Sequence, residues 1–410
     1  MRCFQTAATG VRALAKFGPI GALAFIASHG ALAQQPAGAV HRVGPSIHAT
    51  TEALGMRVGV RPLTDGRVLV SDPQNSRLLM FDSTLEHATV VADTTAATGK
   101  AWGKGLAGLI EFAGDSSLAR DVLTGAYVVI DPAGTIVRVI PAPAKSLTIG
   151  EQTLGEAIGY DHAGHLLFRA ARPVFLLLLD PDFVGDTLMK GPDLMPILRR
   201  DLVTGIFDTL VMVRAQATRQ AVRRRAQGGG SGRSAFNPIS SADDWTVLDD
   251  GTVAVVKIAD YHVEWVSPDR TVRSTGKVPA TWVPISPAQK AAMIDTLRVR
   301  DSVLAAGRSS APSGIGAPSA VIEPSDLPDF WPPFVTESTI AAPEGAVWVR
   351  EGRVPQSPGL PIYDVISHQG TLIDRVQLPG GHSLAAVGRD RVYLVDRMNG
   401  RSRVIEASKP

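Results

Sequence analysis

The feature that most limits the fold is a short meander that recurs along the chain. In residues 61–93, Arg61–Leu63 leads into an Asp65-Gly66 turn, and Arg67–Ser71 follows with alternating apolar residues. A polar turn at 72–75, a strand over Arg77–Asp82 and an edge strand over Ala88–Ala92 complete the unit. Asp-Gly between alternating runs is a strong hairpin signal, because glycine accepts the positive φ that the turn needs. One such sheet cannot bury both of its faces, so it must pack against copies of itself. Looser copies run over Ile110–Ile140, Gly155–Val213, Asp243–Arg273, Glu337–Leu378 and Ser383–Glu406, giving six candidate blades. Their first turns fall near Asp65, Asp115, Ala163, Asp250, Glu344 and Asp390. Compact neighbours are about 45–50 residues apart, the repeat length of four-stranded propeller blades. The expectation is an all-β fold: a six-bladed β-propeller of four-stranded antiparallel blades, with one helical insertion.

The last repeat, Ser383–Glu406, shows three clear strands before the chain stops. A closed ring needs a fourth, so a strand between His41 and Val60 is expected to join it, removing the free sheet edge. With 40 Gly and 29 Pro in 410 residues, the composition suits many tight turns.

Residues 1–33 read as a secretory signal peptide, leaving 34–410 as a single propeller domain. Arg2, Arg12 and Lys16 form a basic start, Phe17–Ala27 is apolar, and Ala31-Leu32-Ala33 is an A-x-A cleavage site. Cys3, the single cysteine, lies ahead of the apolar run, so the remaining chain has no thiol for a disulfide or a metal. Without the three basic residues of this segment, the 41 Lys and Arg of the chain fall just below its 39 Asp and Glu. Global charge therefore gives no argument for nucleic acid or membrane binding. The expected location is periplasmic or secreted, with no transmembrane segment after cleavage near Ala33.

Insertions are expected at about 172–235 and 280–334. In the first, Arg214–Arg233 carries six arginines, no acid and a Gly/Ser tract, and reads as a mobile loop. Arg223, Arg224 and Arg225 offer a weak contact for an anionic surface. No aromatic residues interleave with them, which speaks against nucleic acid. The second holds one helix, with Ser286 as N-cap, Pro287 at its first position and Gly307 at its end. Ala291, Ile294, Leu297 and Leu304 mark its apolar face, and Leu327–Phe334 reads as a rigid segment packing it against the rim.

The Asp-Gly strand pairs, the phrases LLMFDS, VEWVSPDRTV and YDVISHQGTLIDRVQL, and the repeat count resemble the six-bladed propellers of the NHL and TolB-like group, in particular exported bacterial ones. The resemblance implies a fold and says little about chemistry.

In a propeller the first strand of each blade lines the central channel. Equivalent positions ahead of the first turns place Glu156, Asp243 and Glu337 on the axis, with Arg61 and Glu111 at another shared offset. These five residues are the candidates for ligand binding at the channel mouth. A one-residue slip in any blade would turn the side chain to the other face. Three converging carboxylates suit a hard cation, Ca2+ or another divalent ion. That supports an alternative reading, a metal-dependent hydrolase or lyase. The sequence is similar in architecture to gluconolactonase-like propellers, whose metal is held by Glu, Asn and Asp. Here Asn75 and Asn399 fall in outer turns and only Asn237 is placed to approach the channel. No G-x-S-x-G elbow is present, and His162 and His165 read as turn residues. The preferred expectation is a non-catalytic, exported propeller, without a cofactor, that binds a protein, peptide or glycan at the channel mouth or on its loops.

Overall fold

The computed structural model describes residues 39–96, 102, 105–142, 148–149, 152–171, 184–224, 230–306, 322–352 and 359–410. The signal-peptide reading of residues 1–33, Arg225 and the end of the helix at Gly307 lie outside them.

Six antiparallel sheets form the blades. Blade one comprises Gly59–Pro62, Val68–Asp72, Arg77–Phe81 and Ala88–Ala92; blade two, Leu106–Glu111, Ser117–Asp121, Tyr127–Ile130 and Ile136–Ile140. Blade three comprises Gln152–Tyr160, His165–Ala171, Leu194–Asp201 and Phe207–Arg214, with Thr148–Ile149 added inside its first strand. Blade four comprises Asp244–Val247, Val253–Lys257, His262–Val266 and Val272–Lys277; blade five, Ile340–Ala341, Val347–Arg350, Ile362–Ile366 and Leu372–Gln377. Blade six takes His382–Val387, Arg391–Met398 and Arg401–Ser408 from the end of the chain.

Its fourth strand is Ser46–Ala49, antiparallel to Arg401–Ser408, as the missing edge required. A second N-terminal strand, Val40–Arg42, runs parallel to Leu372–Gln377 of blade five, a pairing the repeat pattern did not foretell. His48 Nδ1 lies 2.6 Å from Glu406 and His41 Nδ1 lies 2.7 Å from Asp374, so each strand carries a polar pin as well as its backbone ladder.

The alternation in each strand feeds two different inter-blade cores. Val253 and Val255 pack toward blade three beside Leu167, Ile197 and Trp245. Ala254 and Val256, pointing the other way, pack toward blade five with Val347, Val349 and Ile366. Six such clusters join blades one to two, two to three, three to four, four to five, five to six and six to one. The last holds Ala386, Tyr393 and Val404 against Val68, Val70 and Phe81, so the ring is closed by apolar packing. Burying one Val, Leu, Ile or Phe side chain contributes about 1.5–3 kcal/mol, which makes these seams the main source of stability. The first strands of neighbouring blades touch in cyclic order, from one round to six and back, and so surround the axis.

The arginine-rich part of the first insertion is not a loop. Thr218–Arg224 pairs with both Gly185–Lys190 and Gly230–Phe236 in a separate three-stranded sheet. Arg223 and Arg224 therefore stand on a strand, and most of the Gly/Ser tract is its neighbour. Ladder hydrogen bonding has overridden a composition poor in β-formers.

The helix spans Pro287–Ala306. Ser286 Oγ accepts from the Gln289 N–H at 3.2 Å and Gln289 Oε1 accepts from the Ser286 N–H at 2.8 Å, a capping box. Ile294 packs with Ile322 and Leu327, and Leu297 adds to them, whereas Ala291 is exposed. The aromatic segment divides. Phe334 is fully buried against Tyr261 in the seam between blades four and five, while Phe330 meets Trp282 edge-on at the surface.

Candidate functional site

All six first strands run the same way, so the channel has one mouth where they end in the first turns and another where they begin.

At the first-turn mouth, Arg61 from blade one is 6% exposed and reaches into blade two. Its Nη2 donates to Asp115 Oδ1 at 2.9 Å and its Nη1 donates to Ser117 Oγ at 2.8 Å. Glu111 Oε1 stands 3.9 Å from the same guanidinium and remains half exposed. Thr64 completes the hold on Asp115 through its N–H and hydroxyl. Arg61 and Glu111 thus lie near each other, but the short contacts of Arg61 go to Asp115.

Asp249, in the first turn of blade four, belongs to this group. Protein around it and the charge of Glu111 raise its pKa to about 6, while His162 of blade three and Arg61 pull the other way. Its carboxylate touches solvent, so restricted hydration rather than full enclosure is the cause. Among the described residues no group donates it a hydrogen bond, whereas its neighbour Asp250 accepts from the Thr252 N–H at 2.8 Å. Blades one and four face each other across a six-membered ring. Arg61 lies within the first strand of blade one and Asp249 two residues past the first strand of blade four, so both stand at the first-turn mouth.

The turns carrying these groups are locked together. Gly251 has φ +81°, and a Cβ there would meet the Asp161 carbonyl oxygen at 2.1 Å. Asp161 itself accepts from His165 Nδ1 at 2.7 Å, and His165 is thereby occupied. His162 is exposed with φ +54°, its ring against Tyr160 at 5.2 Å.

The three carboxylates proposed to converge on the axis go elsewhere. Glu156 pairs with Arg120 of blade two at 2.7 Å. Asp243 is buried, and accepts from the backbone N–H of Arg214 and of Ile258, each at 2.9 Å, and from Lys257 Nζ at 2.6 Å. Glu337 is exposed at the opposite mouth with φ +59°. Among the described residues no three histidines or carboxylates gather closely enough to hold a metal. Asn237 is buried and anchors the second insertion, donating to the Asp326 carbonyl at 2.8 Å.

One residue beyond Asp243, Asp244 is fully buried. Its Oδ2 accepts from the N–H groups of Ser338 and Thr339 at 2.9 Å and from Thr339 Oγ1 at 2.7 Å, and its Oδ1 accepts from Arg169 at 3.1 Å. It ties blade four to blades three and five at the opposite mouth.

No protein-family model and no curated protein matches the chain. Among solved structures, it is similar to regucalcin, a calcium-binding protein from Agrobacterium tumefaciens, at 12% identity and TM-score 0.39, covering 90% of this chain and 97% of that one. A gluconolactonase from Xanthomonas campestris matches at 12% identity and TM-score 0.37 over 91% and 98% of the two chains. A member of the DUF4221 family from Bacteroides vulgatus matches at 8% identity and TM-score 0.41 over 89% and 98%.

Proposed function

We propose that the protein is an exported, non-catalytic β-propeller that binds a protein or peptide partner at its first-turn mouth by taking a lysine or arginine side chain of that partner. The observation that carries this is the charge imbalance of the mouth. The hydrogen bonds of Arg61 go to Asp115 and Ser117, so Glu111 keeps only a 3.9 Å contact with it and Asp249 has no ion pair among the described residues. The charge of Glu111 helps to raise the Asp249 pKa, and a cation arriving between the two relieves that repulsion. Such a site favours ammonium or guanidinium groups and selects against acidic peptides. No nucleophile with a base beside it accompanies these acids among the described residues, which favours binding over turnover.

Blocked tripeptides Gly-Lys-Gly, Gly-Arg-Gly and Gly-Glu-Gly, titrated against the residue 34–410 chain by calorimetry, test this. The first two bind and the third does not. Glu111→Gln and Asp249→Asn each weaken binding, and affinity falls as pH drops through about 6, where Asp249 takes up its proton. Binding that ignores peptide charge, a preference for neutral oligosaccharides, or hydrolysis of an added lactone would each overturn the reading.

A further inference from the structure

On the opposite face, a cavity of about 80 Å³ lies between the outer strands of blade three, the start of blade four and the entry to blade five. Its walls are largely apolar, with Met195, Val213 and Trp245 among them. Three charged residues also line it, Arg169, Arg214 and Glu337. Arg169 is occupied by Asp244, to which it donates at 3.1 Å, which leaves Arg214 and Glu337. Both reach solvent at the cavity's opening. Here no ion pair joins them, and among the described residues neither side chain has a hydrogen-bond or ion-pair partner. Asp193, in the adjoining cleft, feels Arg214 only at longer range.

Their separation is built into the backbone. Asp243 accepts the Arg214 N–H at 2.9 Å and fixes the end of that strand. Asp244, the next residue, accepts the N–H groups of Ser338 and Thr339 and fixes the chain directly after Glu337. Glu337 is held at φ +59°, a strained conformation for a residue with a Cβ. Two consecutive buried acids thus hold a cation and an anion apart. Trp245 is 2% exposed and its indole N–H has no acceptor. Trp265 and Trp348 share that property inside apolar seams; Trp245 lines the cavity with its ring, its indole nitrogen being closed to solvent.

We propose that this cavity binds a small zwitterion, a free α-amino acid with a short apolar side chain. Its carboxylate meets Arg214, its ammonium meets Glu337, and its side chain lies against Met195, Val213 and the Trp245 ring. The size excludes large side chains, and the paired charges select against molecules bearing only one of them. The site is distinct from the first-turn mouth and does not depend on its function.

The test is calorimetry on the residue 34–410 chain, with tryptophan fluorescence as a second readout. Alanine and valine bind at neutral pH. N-acetylalanine, which lacks the cation, and alanine amide, which lacks the anion, bind roughly tenfold or more weakly, as does phenylalanine. Arg214→Gln and Glu337→Gln each lower valine affinity roughly tenfold or more. Neither side chain has an internal partner, so unchanged melting curves are expected for both variants. Asp249→Asn leaves valine binding intact, separating this site from the other mouth. No saturable binding of alanine or valine at millimolar concentration overturns the proposal. So does equal binding of the singly charged analogues, or wild-type affinity in the two variants.

Discussion

Replacing Asp244 with alanine should cost more stability than any single surface charge. The carboxylate is fully buried and collects four donors from two neighbouring blades. Asp244→Ala leaves the N–H groups of Ser338 and Thr339 without an acceptor and strips Arg169 of its counter-ion. An orphaned buried polar group costs about 1–3 kcal/mol, and breaking a buried ion pair from one side costs about 3–5 kcal/mol. Arg169 is 29% exposed, so water recovers part of its loss. The net expectation is about 3–5 kcal/mol. Asp244→Asn, which keeps one oxygen and loses the charge, should cost roughly half of that. Urea unfolding followed by tryptophan fluorescence measures both, as a lower midpoint at unchanged slope. A loss below about 1 kcal/mol for the alanine variant would refute the idea that this residue ties three blades together.

Other expectations follow from the same geometry. Asp364 is buried between Tyr261 at 2.6 Å and Arg375 at 3.1 Å, and burial raises its pKa to about 7. The folded state therefore holds that proton more tightly than the unfolded chain, so its contribution favours the fold at low pH and is lost as pH rises from about 4 to about 7. Asp364→Asn should flatten this part of the stability profile; an unchanged slope would contradict it. Asp208 acts in the opposite sense, because Arg199 and Arg270 hold its pKa at about 2, so its stabilisation is present above the ordinary Asp pKa and disappears in strong acid. Gly251→Ala should destabilise by at least about 1–3 kcal/mol in thermal or urea melts, since the strained φ alone costs that much before the contact with Asp161 is counted. Deleting residues 39–50 should expose the edge of Arg401–Ser408 and yield oligomers on size-exclusion chromatography, where a monodisperse, equally stable monomer would argue against N-terminal closure.

The blades were legible because each strand writes its neighbours into its alternation. Val253 to Val256 show both faces of a seam in four letters. The terminal strand was legible by subtraction, since an exposed edge on a three-stranded last blade is unfavourable. The site was less so. Asp243 and Asp244 differ by one position, and no periodic signal decides which of two adjacent acids turns inward. Asp249 was absorbed into an Asp-Asp-Gly hairpin turn, although in a ring of blades the first turns themselves crowd one mouth. That crowding brings Asp249, Asp115 and His162 to the same end of the channel. The arginine-rich strand was concealed because one partner, Gly185–Lys190, lies about 30–40 residues upstream, and the other, Gly230–Phe236, is a Gly/Ser-rich hairpin arm without apolar alternation.

The proposed site requires Glu111 of blade two and Asp249 of blade four to meet at one mouth of the channel. Carbon-13 NMR titration of the Asp249 carboxyl tests it most directly. A pKa near 6 that falls toward the ordinary Asp range in Glu111→Gln is the predicted result. A value near 4 that does not respond to Glu111 would place the two carboxylates apart and remove the basis of the proposed binding site.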